Sequence, residues 1–182
     1  MKGNNMRKFA LLAALSAVLL AGRAAYAADE PRSGGVINFV APYGDSFSTL
    51  DIQASPATQD EFYAKAIHRT LYDWDADLNK PVLGLATDVT VSDDRLVYTY
   101  KLRQDAFFHN GKPLTADDII WSYTRIMDPK KAFPPARYIA EIKGAEEYTQ
   151  GKAKEISGLK KIDDHTLEIT LKQPIDPGFQ FM

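Results

Sequence analysis

Leu96 to Asp128 reads LVYTYKLRQDAFFHNGKPLTADDIIWSYTRIMD, and this stretch decides the fold. Leu96, Tyr98, Tyr100 and Leu102 alternate with Val97, Thr99, Lys101 and Arg103. A period of two places one aromatic and aliphatic face on a core and leaves the other largely polar, which is the mark of a half-buried strand. Asn110-Gly111 signals a reversal, because both residues tolerate the positive φ of tight turns, and Pro113 fixes the exit direction. Thr115 then stands as N-cap with Asp118 three residues on. Its hydroxyl accepts from an orphan backbone N–H while the carboxylate reaches back and complements the helix dipole. Ile119, Ile120, Tyr123, Ile126 and Met127 share one helical face, and Asp128-Pro129 stops the run because proline cannot donate and clashes with the preceding turn.

Working outward, Ala86 to Val91, a reversal at Ser92-Asp93-Asp94 and a return through Leu96 to Arg103 predict a hairpin. Gly158 to Ile162, Asp163-Asp164-His165 and Thr166 to Leu171 repeat the design. Two such hairpins pair into an antiparallel sheet, with helices at Ala116 to Met127 and Arg137 to Thr149 covering one side. Upstream, Ala57 to Leu71 is helical in pattern: Phe62, Ala66, Ile67, Thr70 and Leu71 form a stripe, with Gln59, Asp60 and Lys65 outside. Tyr72 and Trp74 begin a strand or turn. Val36 to Val40 reads as a short buried strand that leads into Ala41 to Pro56, a loop rich in Pro, Gly, Asp and Ser. The class is α/β, and periodicity alone leaves the topology of a mixed sheet open. Trp121, beside Ile120 on the helix, is expected in the core.

Lys2, Arg7 and Lys8, the apolar run Phe9 to Leu20 and the small residues of Ala25-Tyr26-Ala27 form a secretory signal, residues 1–27, cleaved before Ala28. The run spans about 18 Å as a helix against a hydrocarbon core of roughly 30 Å, so stable membrane insertion is not expected. Residues 28–182 are then the exported chain. With no cysteine there is no disulfide, thiolate nucleophile or lipid-modifiable site, which fits a freely diffusing periplasmic protein. Removing Lys2, Arg7, Lys8 and Arg23 from 22 basic residues leaves 18 against 24 acidic ones, a charge of −6 where the precursor has −2. Nucleic-acid binding needs a basic footprint, and none is present.

Catalysis finds little support in the residues. His68, His109 and His165 are far apart and read as surface or packing residues, not as metal ligands. Gly44-Asp45-Ser46-Phe47-Ser48 lacks the flanking glycines of a nucleophile elbow. Asp93-Asp94, Asp117-Asp118 and Asp163-Asp164 fall at turns and a helix start, where Asp serves local backbone hydrogen bonds. Neither enzyme activity nor a cofactor is expected, although a secreted hydrolase stands as a rival reading. Trp74, Trp121, Tyr43 and Tyr138 are aromatic candidates for pocket walls, and Tyr43, in the loop after the first strand, is the better one for ligand contact.

The order and spacing of Leu102, Arg103, Phe107, Phe108, Asn110-Gly111, Pro113, Thr115-Ala116, Asp117, Trp121-Ser122 and Arg125 resemble the most distinctive segment of the family 5 bacterial extracellular solute-binding proteins. These are the oligopeptide- and dipeptide-binding receptors of ABC importers. The resemblance implies the first-lobe portion of a two-lobe, type II periplasmic-binding-protein fold. It also implies a longer chain, so residues 28–182 read as the N-terminal part of a solute-binding domain, with a short one-lobe protein as the alternative. Pro81 to Leu85 is similar to the segment leading to the family's first hairpin, and Leu50-Asp51 matches its Leu-Asp. The loop that meets an extended peptide in the family corresponds to Ser55, Pro56, Ala57 and Thr58. The competing reading is an ordinary loop capped by Thr58. Pro56 and Ala57 stand where oligopeptide binders carry an acidic residue and a glycine, and Pro135 aligns with a contacting tyrosine. Proline removes a backbone donor, so dipeptides, opines, sugars and metal complexes stay open as solutes. The implied partners are a peptide or peptide-like solute and the permease subunits of an ABC transporter, the receptor itself being a monomer. A periplasmic sensor or chaperone module with the same fold is the other alternative.

Overall fold

The computed structural model describes residues 34–36, 38, 48–55, 57–131 and 133–176, and every helix and strand among them lies in the unit from Ala41 to Met182. The secretory signal, Tyr43 and Pro56 lie outside the described residues. Of the expected strand at Val36 to Val40 only Val36 and Asn38 are described, and neither belongs to a strand.

Helix α1 (Thr58–Ile67) stops short of the expected Leu71. Past His68 the backbone joins the sheet: Gly84 N–H donates to the Leu71 carbonyl at 2.8 Å and Leu85 N–H to that of Thr70 at 2.9 Å. Paired extended backbone thereby displaces the last helical turn. Phe62 and Ile67, expected on the buried stripe, are each 39% exposed, whereas Asp60, expected outside, is buried. Strands β1 (Tyr72–Asp75) and β2 (Lys80–Leu83) form an antiparallel hairpin. Its turn is held by Asp75 Oδ1, which accepts from the N–H groups of Asp77 and Leu78 at 3.0 and 2.9 Å.

The second sheet carries the core. Strands β3 (Ala86–Val91), β4 (Val97–Leu102), β5 (Leu159–Asp163) and β6 (Thr166–Thr170) lie in the order β3-β4-β6-β5. Every strand pairing among the described residues is antiparallel. The two hairpins legible in the sequence therefore meet along β4 and β6. The register sets Tyr98 opposite Ile169 and Tyr100 opposite Leu167, so the buried members of both strands share one face, as the period of two requires. Tyr100, Leu167 and Ile169 have no exposed surface. Burying side chains of this size contributes roughly 1.5–3 kcal/mol each. The Tyr72 hydroxyl donates to that of Tyr100 at 3.3 Å with the rings edge-on, so the buried phenol is not left unpaired.

Helix α2 (Ala116–Ile126) lies on this sheet through Ile119 and Ile126, with Met127 buried just beyond its end. Its start is the expected capping box. Asp118 Oδ2 accepts from both the backbone N–H and the hydroxyl of Thr115, each at 2.9 Å. Beyond it the expected single helix from Arg137 to Thr149 is two short pieces, α3 (Ala136–Ile139) and α4 (Ala145–Thr149). Gly144 causes the break. It adopts φ +82°, and a Cβ there would fall 2.8 Å from the Ser157 backbone nitrogen. Lys143 N–H donates to the Thr170 carbonyl at 2.9 Å while its own carbonyl accepts from Gly158 at 2.8 Å. The chain between the pieces is thus claimed by the sheet edge, and helical hydrogen bonding yields to it.

Candidate functional site

Residues 48–55 and Ala57 form an irregular stretch before α1, and four sets of polar contacts fix it. At its start the buried Asp60 carboxylate, on the first turn of α1, accepts from Ser48 N–H at 2.7 Å and from the Ser48 hydroxyl at 2.5 Å. Hydrogen bonds from the Ser48 and Ser55 hydroxyls bring the Asp60 pKa down to about 2. In the middle Ala54 N–H donates to the Asp51 carbonyl at 2.9 Å, closing a tight turn over residues 51–54. At its end Ser55, itself buried, turns its hydroxyl back to accept from Ala57 N–H at 3.0 Å.

The fourth set crosses to α2. Arg125 donates from Nη1 to Asp51 Oδ1 at 3.0 Å and from Nη2 to Asp51 Oδ2 at 2.5 Å, a two-pronged ion pair. Nη1 also donates to Gln53 Oε1 at 2.5 Å. Gln53 completes the link by donating from Nε2 to the hydroxyl and carbonyl of Ser122, at 3.3 and 3.4 Å. The guanidinium lies over the rings of Phe133 and Trp121, 4.7 and 5.9 Å from their centres. The Arg125 hydrogen bond holds the Asp51 carboxyl below its ordinary range, so the pair is ionised throughout the neutral range.

The sequence-derived site residues fall unevenly on this frame. Ser55 and Ala57 lie at the end of the pinned stretch, but the Ser55 hydroxyl faces inward. Thr58 is the exposed first residue of α1, and Ala57, without a side-chain cap, is its N-cap. The competing reading, in which Thr58 caps the helix, is therefore corrected: Ala57 is the N-cap, and Asp60 and Ser55 organise the helix start. Trp121, expected in the core, is 64% exposed, because the apolar face of α2 is filled by Ile119 and Ile126 and the ring is turned to Arg125. Trp74 and Tyr138 are 43% and 42% exposed. Pro135 is the N-cap of α3, where its fixed φ of −68° suits a helix start. His68 Nε2 meets the Leu50 carbonyl at 3.2 Å, a further tie on the loop.

The acidic pairs serve the roles their positions suggest. Asp94 accepts from the Ser92 hydroxyl and Leu96 N–H, and Asp163 from His165 N–H and the Thr166 hydroxyl. Lys161 bridges Asp117 and Asp164 at 2.6 and 2.7 Å, tying the start of α2 to the sheet. A cleft of about 560 Å³ lies at this end of the sheet, lined in part by Lys101, Arg103, Asp105 and Asp163. Its polar groups are engaged within the protein: Arg103 grips Asp105 at 2.6 and 2.8 Å, and Lys101 donates to the Thr166 hydroxyl. Among the described residues no group of three or more His, Cys, Asp or Glu side chains converges as a metal site. No helix among them is long and apolar enough to cross a membrane.

Asp51, Gln53, Ser122 and Arg125 did not stand out by chemistry in the sequence, since 74 residues separate the charged partners. Their trace was that Asp51, Ser122 and Arg125 fall on the matching pattern.

The antiparallel α/β lobe thus pins an irregular loop against α2. Comparison with known proteins gives the family. The bacterial extracellular solute-binding proteins, family 5 Middle, match residues 80–182, and the chain belongs to this family. The periplasmic oligopeptide-binding protein OppA of Escherichia coli is 35% identical over 179 residues, which cover 94% of this chain and 32% of that protein. A probable deoxycholate-binding periplasmic protein, YgiS, of the same species is 43% identical over 88 residues, or 47% of this chain and 16% of that protein. A crystal structure of a periplasmic oligopeptide-binding protein from Borrelia burgdorferi superposes with a TM-score of 0.69 at 37% identity, covering 73% of this chain and 27% of that one. The fold is accordingly part of a two-lobe periplasmic binding protein. The chain spans about a third of the length of the oligopeptide-binding relative.

Proposed function

We propose that this chain forms part of the substrate-binding component of an ABC importer, which captures peptides or peptide-like solutes in the periplasm and delivers them to membrane permease subunits. The observation that carries the reading is the 35% identity to an oligopeptide-binding protein along 94% of the chain. A secretory signal over residues 1–27, with cleavage before Ala28, accounts for export, and the exported receptor acts as a monomer without covalent chemistry. The solute meets the loop through Ser55, Pro56, Ala57 and Thr58, with Tyr43 as an aromatic contact. The side chains of Gln53 and Ser55 turn toward the protein, so the contact proposed for the solute is to the main chain. Main-chain pairing gives affinity that is indifferent to peptide sequence, and water adapts to varied side chains. Closure follows from population shift: a solute that touches both lobes only in the closed form favours that form by its differential affinity.

The test is mass spectrometry of the solute released when the native protein is denatured. Short peptides of mixed sequence are the expected release. The identity to the deoxycholate-binding relative names the competing class, and a bile acid or another non-peptide as the sole released solute would refute the peptide reading.

A further inference from the structure

Arg125 makes more of its surroundings than any other cation among the described residues: both carboxylate oxygens of Asp51, the amide oxygen of Gln53, and the faces of two aromatic rings. All of the hydrogen-bond partners belong to the turn that leads into Ser55 to Thr58, whereas Trp121 and Phe133 lie on α2 and beyond its end. Its side chain is 28% exposed and that of Asp51 39%, so the pair is shielded without being sealed. A surface ion pair of this exposure adds little to global stability. Its geometry, in contrast, is restrictive. A planar fork that holds a carboxylate with two nitrogens while one of them also holds an amide fixes the Asp51 and Gln53 side chains in place and orientation. The rings fix the plane of the fork.

We propose that Arg125 is a positioning residue for the solute-binding loop: by clasping Asp51 and Gln53 it sets the path of the backbone at residues 51–55 that leads to the solute. The proposal rests on the reading of that stretch as ligand-facing. It explains a pairing of a matched Leu-Asp with a matched arginine far along the chain, and it assigns to the exposed Trp121 the task of holding the guanidinium rather than lining a pocket. A lysine at position 125 keeps the charge and loses the fork, so charge alone does not substitute.

The intact protein as the cell makes it, freed of endogenous solute, provides the test. Tri-alanine affinity is measured by calorimetry and amide hydrogen exchange over residues 51–57 by mass spectrometry, for the parent, R125K, R125M and K161M. Lys161 pins the opposite end of α2 through Asp117 and serves as the structural control. The expected result is at least tenfold weaker binding and faster loop exchange in both Arg125 variants. K161M should leave affinity within twofold of the parent. Arg125 variants that bind within twofold of the parent, or K161M weakening binding as much as they do, would overturn the proposal. A parent that binds neither tri-alanine nor a tripeptide mixture removes the ligand role of the loop itself, and the positioning role falls with it.

Discussion

Asp60 has 1% of its surface exposed, yet the helical pattern around it places it on the outer stripe of α1. The discrepancy is physical: its partners Ser48 and Ser55 sit in a stretch with no periodicity, and only the folded loop brings two hydroxyls and a backbone N–H onto one carboxylate. Because those donors favour the charged form, the folded pKa of about 2 lies below the ordinary 3.8. A depressed carboxylate pKa contributes stability that is complete above the unfolded value and fades as pH falls through the folded one. The parent is therefore expected to lose unfolding temperature between pH of about 4 and about 2. An Asp60→Asn variant, measured by the same thermal scans, should start lower at neutral pH and show a flatter profile across that window. A parent profile no steeper than the variant's would contradict the assignment. Trp121 teaches the same lesson from the other side. Apolar spacing predicts the core for it, but a cation at i+4 makes an exposed indole useful where it is.

Helix α2 was the most legible element, because its start and stop signals are local: Thr115 and Asp118 at one end, Asp128-Pro129 at the other. Asp118 also takes an ion pair from Lys112 at 2.7 Å. Burial pushes its pKa up, but Lys112 and the two donations from Thr115 outweigh this and leave it lowered. Asp118→Ala is expected to cost about 1 kcal/mol of stability, read from denaturant midpoints, with Asp118→Asn intermediate. No measurable loss would mean that the box contributes nothing to the helix. The segment from Arg137 to Thr149 was misread as one helix for the opposite reason. Its propensity is local, but the break at Gly144 depends on Ser157 and Thr170, which the chain brings alongside only when the second hairpin is formed. Gly144→Ala should accordingly destabilise, by strain at a positive φ together with the close approach to Ser157, and a neutral effect in the same denaturant assay would contradict this origin of the break.

At the scale of the whole molecule, the fold rests on two hairpins meeting along β4 and β6, and the repeated strand, Asp-Asp turn, strand design made the two hairpins readable while their order in the sheet was left open. Leu167→Ala, opposite Tyr100 in that register and fully buried, should cost about 2–5 kcal/mol by equilibrium unfolding. A cost under about 1 kcal/mol would place the core elsewhere. The clasp between loop and helix was not readable, since charge complementarity across so long a separation has no signature in one sequence. What the clasp serves is the central claim: the loop before α1 is held in shape so that its backbone can receive a peptide. Calorimetric titration of the intact, solute-free protein with tri-alanine tests this most directly. Saturable binding to one site at micromolar affinity or tighter is predicted, and the absence of saturable heat with tri-alanine, alongside saturable binding of deoxycholate, would contradict it.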